Sequence, residues 1–343
     1  MTVGLRWCVV GVLLCPRAVC GQDSAAAGHF HIGLTIHDVG VSVGNAPRVT
    51  GIRINVQDAA LERVTGLNLT LWKPREPFTG TVNGVQAGVL PGSAVVNGIA
   101  IGIAGVVTER RARWLTIGGL GAVSNGDIQG IVIGGLGAVA NRDIAGIAVA
   151  GLGTVADGSV TGIAVGGLGM VANRDVVGLA VAGLGTVTDR NLTGVGIAGL
   201  GLVANGALRG IGVGGLATVA DGSITGVGIG GLAVVTDGRL TGFGLGGLAV
   251  VADREIRGIT LAGYGVYSHR VAGLNVAGGY LRTDELAGLS VSAYNRVRGP
   301  QRGLTIGLYN SAYELHGVQI GVVNRAKNNR APFKILPILN VHL

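Results

Sequence analysis

Nine consecutive units of the sequence begin with glycine at a fixed spacing of sixteen residues, at Gly130, Gly146, Gly162, Gly178, Gly194, Gly210, Gly226, Gly242 and Gly258. Each unit reads close to G-I-x-V-G-G-L-G-x-V-A-D-G-x-I-x. A short, fixed period is typical of repeat proteins, in which each unit packs mainly against its two neighbours. The period therefore constrains the fold more strongly than length or composition does.

The repeat continues on both sides of this strict core. Upstream, Gly98 begins another sixteen-residue unit and Trp114 replaces the glycine of the next. Looser units begin at Gly33, Gly51, Gly66 and Gly84, and shorter ones begin downstream at Gly273, Gly288, Gly303 and Gly317. No linker or change of composition interrupts them. We therefore predict one elongated domain, residues 33–326, built of about twenty units that are mostly sixteen residues long.

The first residues have a different character. Arg6 precedes a short apolar run, residues 7–15, and small residues follow up to Gly21. This layout predicts a secretory signal peptide over residues 1–21, followed by an N-terminal cap or linker over residues 22–32. The pattern leaves open whether Cys20 is lipidated. All three cysteines lie in this segment, so the exported chain is expected to form no disulfide.

Two architectures fit the repeat. A parallel β-solenoid would form one coil from each unit, and a transmembrane β-barrel would form one strand from each unit with Asp-Gly or Asn-Gly hairpins. The large apolar residues of the unit at Gly130 are separated by gaps of 2, 3, 3 and 5, which a strand with alternating faces cannot accommodate. The pattern favours the solenoid, and the barrel, with a transport or pore role, is the alternative.

Positions within a unit are numbered here from the first glycine, and the residues that share a position are called a row. The large apolar residues at positions 2, 4, 7, 10 and 15 predict the interior of the coil. On this interpretation the leucines of row 7 form one buried column, which includes Leu136, Leu152, Leu168 and Leu184.

Row 12 contains only Asn or Asp in the core, which predicts turns, because these side chains bond to nearby backbone. One carboxylate per coil provides too few oxygens for Ca²⁺, so we expect no metal site there. Three asparagines, Asn295, Asn310 and Asn324, recur at one position of the C-terminal units, and stacked amides of this kind predict a hydrogen-bonded ladder.

The C-terminal units are similar to a known family. Residues 303–324 read GLTIGLYNSAYELHGVQIGVVN, which resembles the G-L-x-I-G-L-x-N and G-V-Q-I-G-V-V-N repeats of bacterial surface-repeat proteins first named from leptospires. The closing PFKILPILN also resembles the end of those proteins. The resemblance implies an exported bacterial surface protein, in a family with no assigned activity, catalytic residues or cofactor.

Aromatic and basic residues concentrate near the C-terminus. Exposed tyrosine and arginine are favoured at recognition surfaces, and we take as candidate contact residues Tyr280, Tyr294, Tyr309, Tyr313, Arg325, Lys327, Arg330 and Lys334. Residues 327–343 are also predicted to cap the array, because Pro332 and Pro337 cannot donate to a strand ladder and Phe333 can cover the last apolar layer.

The sequence thus predicts an exported, non-enzymatic structural or adhesive repeat protein that is located at the cell surface, at the outer membrane or in the periplasm. It offers no catalytic, cofactor-binding or metal-ligating constellation. The net charge of +8 favours an anionic surface polysaccharide or the outer-membrane surface as partner. Nucleic acid and small-molecule substrates are not expected.

Overall fold

The computed structural model describes residues 31–342, which form an all-β structure without helices. The predicted signal peptide, and all but two residues of the predicted segment 22–32, lie outside the described residues. Since residues 31–342 contain no helix, they contain no helical segment that could cross a membrane.

The N-terminal turns contain the strands β1 (His31–Ile36), β2 (Val39–Gly44), β3 (Arg48–Gln57), β4 (Arg63–Trp72), β5 (Thr81–Gly88), β6 (Gly92–Gly102) and β7 (Gly105–Gly118). The core alternates short and long strands: β8 (Gly121–Ser124), β9 (Asp127–Gly134), β10 (Gly137–Ala140), β11 (Ile144–Ala150), β12 (Gly153–Ala156), β13 (Val160–Gly166), β14 (Gly169–Ala172), β15 (Val176–Ala182), β16 (Gly185–Thr188), β17 (Leu192–Ala198), β18 (Gly201–Ala204), β19 (Leu208–Gly214), β20 (Ala217–Ala220), β21 (Ile224–Gly230), β22 (Ala233–Thr236) and β23 (Arg239–Gly246). Longer strands end the array: β24 (Ala249–Ala262), β25 (Gly265–Thr283), β26 (Glu285–Ala326) and β27 (Ile335–His342).

Successive turns pair in parallel, and in the core equivalent residues lie sixteen positions apart. In β11 and β13, for example, Gly146 pairs with Gly162 and Ile147 with Ile163. The short strands pair in the same way, each with the short strand of the next turn. This arrangement confirms the predicted parallel β-solenoid. Antiparallel pairing occurs at the two ends, between β1 and β2 and between β26 and β27.

The glycines of row 1 stack in one column along the array. Each has a positive φ, for example 130° at Gly146 and 118° at Gly162, a conformation that L side chains rarely adopt. A Cβ on Gly162 would lie 2.1 Å from the carbonyl oxygen of Gly146 in the turn below. Glycine therefore recurs every sixteen residues because the backbones of adjacent turns are in contact at row 1.

The interior rows differ from those predicted. Row 15 points inward as expected, and Ile144, Leu208 and Ile224 are fully buried. The other buried rows are 3, 5, 9 and 11, which consist mainly of Gly, Ala, Thr and Val. Rows 2 and 4 face outward together with row 7, so the prediction that these rows fill the coil is wrong. Row 10 is also partly exposed rather than buried.

The predicted buried leucine column is likewise wrong, because these side chains cover a corner from the outside. With row 7 inside and Thr186 between coil faces, the sequence predicts that aspartate costs more stability at Leu168 than at Thr186. Leu168 is instead 48% exposed and Thr186 is fully buried, so the expected order is reversed. The physical reason is the narrow cross-section of the coil, in which rows 3, 5 and 11 hold mainly small side chains and row 9 admits only an occasional larger one, such as Met170 or Leu202.

Volumes compensate across this narrow interior. Leu192, Leu208 and Leu240 of row 15 are each followed four residues later by a row 3 glycine, Gly196, Gly212 and Gly244. A Cβ on Gly212 would lie 2.4 Å from Cδ1 of Leu208. In the core, a leucine in row 15 is thus matched by a glycine in row 3 of the same strand, as expected of close packing.

Replacement of Leu208 by alanine should lower the free energy of unfolding by about 2–5 kcal/mol, because it leaves a cavity that Gly212 cannot fill. The matched change Leu216→Ala, at the outward corner, should cost about 1 kcal/mol or less. Thermal or denaturant unfolding of the two variants measures the difference. Equal losses of stability would contradict the observed register.

The corner after the short strand is polar and links neighbouring turns. In row 12 the amide Nδ2 of Asn173 donates to Oδ1 of Asp157 over 3.1 Å, and Asn205 donates in the same way to Asp189. Two positions on, Asp175 Oδ1 accepts hydrogen bonds from the backbone N–H and the side-chain amide of Asn191. The row 12 side chains lie in turns, as predicted.

The hydrogen bonds from the Asn191 side chain and backbone, with Arg190 and Arg174 nearby, hold the pKa of Asp175 below its ordinary value of 3.8. A depressed carboxyl pKa stabilises the fold above the ordinary pKa, and this contribution is lost as pH falls through the lowered value. The melting temperature of the wild type should therefore fall more steeply below pH 3.8 than that of Asp175→Asn. If the melting temperatures of the two proteins fell equally with pH in the acid range, this prediction would be refuted.

The outside of the solenoid is divided along its length. Rows 2, 4 and 7 present large apolar side chains, and we call these rows the apolar flank. The opposite side carries rows 12–14 and alternating charges, among them a row 14 column in which Arg239, Glu255, Arg270 and Glu285 pair in successive turns. The Arg270 and Glu285 side chains approach to 2.7 Å.

Both ends of the array have polar interiors. Near the N-terminal end, Arg53 is fully buried and forms an ion pair with Asp58, which also accepts hydrogen bonds from Asn68 and Thr70.

At the C-terminal end of the array, β27 pairs antiparallel with the last turn of β26, from Gly317 to Arg325. The segment predicted to cap the array thus contributes the final strand.

Candidate functional site

Four tyrosines form one outward column on the C-terminal turns. The ring centroids of Tyr267 and Tyr280 are 5.8 Å apart, those of Tyr280 and Tyr294 are 5.1 Å apart, and those of Tyr294 and Tyr309 are 4.6 Å apart. Parallel pairing places one ring above the next, as in the register of Tyr280 with Tyr294. The sequence had placed Tyr267 in the core at position 10, but its ring faces outward, half-buried by its neighbours.

The surroundings of Tyr267 shift the pKa of its phenol. Burial, with Tyr264 and Tyr280 nearby, raises the pKa of Tyr267 above its ordinary value of 10.0, against the opposing effect of Arg282. The hydroxyl of Tyr267 is therefore a neutral hydrogen-bonding group over the physiological range. Because the rings of Tyr280, Tyr294 and Tyr309 stack face to face, their flat faces cover one another and the column presents ring edges and hydroxyls.

Basic side chains lie on the last turn and on its connection to β27. The Lys327 ammonium lies 4.8 Å from the centroid of the Tyr313 ring, a cation–π geometry. Arg325 is exposed near the end of β26, the strand that also contains Tyr313. Arg330 and Lys334 lie exposed in the connection to β27. The Lys334 carbonyl accepts the Ala326 N–H over 2.9 Å, which holds this connection against the last turn.

The structure thus brings the eight predicted residues to one end of the rod but divides them. Tyr280, Tyr294 and Tyr309 belong to the stack, Tyr313 pairs with Lys327, and the other three cations lie on the last turn and its connection. Together they are called the tyrosine–basic surface: Tyr280, Tyr294, Tyr309, Tyr313, Arg325, Lys327, Arg330 and Lys334.

Sequence reasoning missed a shallow cleft of about 250 Å³ beside Tyr267. His269, Arg282, Asp284 and Arg298 line it, and the Asp284 carboxylate lies 3.9 Å from both the His269 ring and the Arg298 guanidinium. These residues occupy irregular corners of turns that are shorter than sixteen residues, where the repeat gives no register. Among residues 31–342, no three His, Cys, Asp or Glu side chains are grouped closely enough to hold a metal ion.

Behind the tyrosines the predicted asparagine ladder is present and fully buried. Asn295 Nδ2 donates to Asn310 Oδ1 over 2.8 Å, and Asn310 Nδ2 donates to Asn324 Oδ1 over 2.7 Å. The Ser290 and Ser292 hydroxyls donate to Asn295 Oδ1. Because these amides are buried and paired, the ladder supports the outer surface rather than contacting a ligand.

No protein-family model matches this chain, and searches found no similar curated protein and no similar solved structure. The resemblance of the C-terminal units to bacterial surface-repeat proteins therefore stays a prediction from the sequence.

Asn310 lies in the middle of the ladder, so Asn310→Ala should leave the buried Asn324 oxygen without its amide donor. We expect a loss of about 1–3 kcal/mol in unfolding free energy. The matched change Ser311→Ala, at the next residue and on the outside of the strand, should have little effect. Comparable losses in the two variants would show that the ladder contributes nothing specific.

Proposed function

We propose that this protein is an exported, non-enzymatic rod that acts as a structural or adhesive element at a bacterial cell surface. Its tyrosine–basic surface binds anionic surface polysaccharide. The proposal combines the predicted signal peptide, the resemblance of the C-terminal units and the basic net charge with the architecture of a repeat array.

The observation that carries the proposal is the combination of stacked tyrosines and exposed cations at one end of the rod. The stacked rings leave their edges and hydroxyls for contact, and tyrosine hydroxyls can exchange hydrogen bonds with sugar hydroxyls. Lysine and arginine attract carboxylate or phosphate groups of an acidic polymer. The one-per-turn spacing of about 4.8 Å gives an extended chain a repeated contact.

Neutralisation of Arg325, Lys327, Arg330 and Lys334 to glutamine should weaken binding to polygalacturonate at low salt by about tenfold or more, since these contacts are electrostatic. A control that neutralises the same number of charges elsewhere, at Arg110, Arg174, Arg190 and Arg254, should have a much smaller effect. Surface plasmon resonance on the immobilised polymer, with neutral dextran as reference, measures both.

Equal weakening by the two variants would show that only net charge matters and would contradict the assigned surface. The cellular part of the proposal needs its own measurement. Protease added to intact cells that express the full chain should digest it while a cytoplasmic marker survives. Protection of the chain, with recovery in the soluble intracellular fraction, would refute the assignment to the cell surface.

A further inference from the structure

The apolar flank extends along the array far beyond the tyrosine–basic surface. Its side chains are large and partly or fully exposed: Ile131, Ile133 and Leu136 are 42%, 40% and 45% exposed. From Val41 to Val318 every residue of row 2 is Val, Ile, Leu or Phe, and from Val43 to Ile320 every residue of row 4 is Val, Ile, Leu or Ala. Row 7 is leucine in each core turn from Leu120 to Leu248.

This surface is larger than ordinary apolar patches. Eighteen glycines and Trp114 form the row 1 column, so the rows are roughly 85 Å long at about 4.8 Å per turn. Rows 2 and 4 form a strip about 7 Å wide, and row 7 widens it to about 17 Å over the nine leucine turns, which gives roughly 1000 Å² against about 300–600 Å² for the largest patch on a typical soluble monomer. A patch of this size marks a surface that is covered by something.

The chemistry of the flank favours hydrocarbon over protein as its cover. Protein interfaces carry about one hydrogen bond per 100–200 Å², yet rows 2 and 4 contain no side-chain donor or acceptor between Val41 and Ile320. The backbone under the flank is paired with the turns on both sides, as for β13 with β11 and β15. A bilayer requires that backbone groups be satisfied within the protein, and it requires no fixed register.

The border of the flank is complementary to anionic headgroups. The row immediately before position 1 lies beside row 2 and contains Arg113, Arg209 and Arg302, but no acid between Thr50 and Arg302. Arg257 belongs to the same row, but its guanidinium is paired with Glu255 at 3.0 Å. Trp114 lies between that border and row 2 and is 74% exposed. Trp72, at position 7 of its turn, is 55% exposed. Tryptophan and arginine at the edge of an apolar face are typical of membrane interfaces.

We propose that the apolar flank is the face on which the rod lies against a phospholipid bilayer, with rows 2, 4 and 7 in the acyl region and the border arginines among anionic headgroups. This proposal rests on the proposed surface location and specifies how the rod is held there. The polar side, with rows 12–14, then faces water, and the tyrosine–basic surface is presented at the end of the membrane-bound rod.

The test uses the purified full chain and flotation with vesicles of phosphatidylcholine, either alone or mixed with phosphatidylglycerol. The wild type should float with both kinds of vesicle and should resist high salt, because burial of apolar area does not depend on screening. The flank variant Val149→Thr, Val165→Thr, Val181→Thr and Val213→Thr keeps shape and strand propensity while it adds hydroxyls. It should lose at least about tenfold in vesicle affinity.

The matched control carries four Val→Thr changes in row 10, at Val155, Val171, Val187 and Val219, beyond the leucine corner. It should bind as the wild type does, and equal weakening by the two variants would overturn the assignment to this face. A border variant, Arg113→Gln, Arg209→Gln and Arg302→Gln, should lose only the preference for vesicles that contain phosphatidylglycerol.

Other outcomes separate this inference from the proposed function. Binding to polygalacturonate without flotation would overturn the bilayer proposal alone, and flotation without polysaccharide binding would overturn only the adhesive role. Sedimentation velocity without lipid tests whether a second copy of this chain covers the flank instead. A stable dimer that the flank variant dissociates, together with absence of flotation, would assign the flank to a second copy of this chain and would refute the bilayer proposal.

Discussion

Contact between backbones at row 1 is the constraint on which the structure depends. A Cβ on Gly146 would lie 2.1 Å from the carbonyl oxygen of Gly130, and nearly the same distance recurs from turn to turn. Turns that approach this closely share one path on either side of row 1, and differences in turn length are confined to the corners away from this contact. The outward and inward rows are therefore kept in register from one end of the array to the other.

The sequence was sufficient to predict the repeat, the parallel solenoid, the turn residues of row 12 and the asparagine ladder. These features follow from spacing and from residues with few structural options. The side that each row faces could not be predicted by the rule that large apolar residues are buried. Ile131 and Leu136 are larger and more hydrophobic than Val132 and Ala138, yet the latter are buried. The narrow interior admits side chains of small volume, and the hydropathy of the residues does not indicate how wide the coil is.

The candidate site was predictable in composition but only partly in geometry. Counting tyrosines located the region, and parallel register explains why Tyr280, Tyr294 and Tyr309 stack. The cleft at His269 and the buried pair of Arg53 and Asp58 had no signal in the repeat, since both lie where turns depart from sixteen residues. The polar interiors at the two ends contrast with the Gly and Ala core. At the two ends, side-chain hydrogen bonds specify which turn packs on which. The core turns lack such specific pairs in their interior and resemble one another.

The uniform register of the core makes the length of the molecule adjustable. Deletion of residues 146–161 would join Ala145, the last residue of one unit, to Gly162, the first residue of another, and would leave every inward and outward row continuous. Each unit gained or lost would change the reach of the rod by about 4.8 Å while its cross-section stays the same. The array is in this sense a ruler, and its number of units sets how far apart it holds the structures at its two ends.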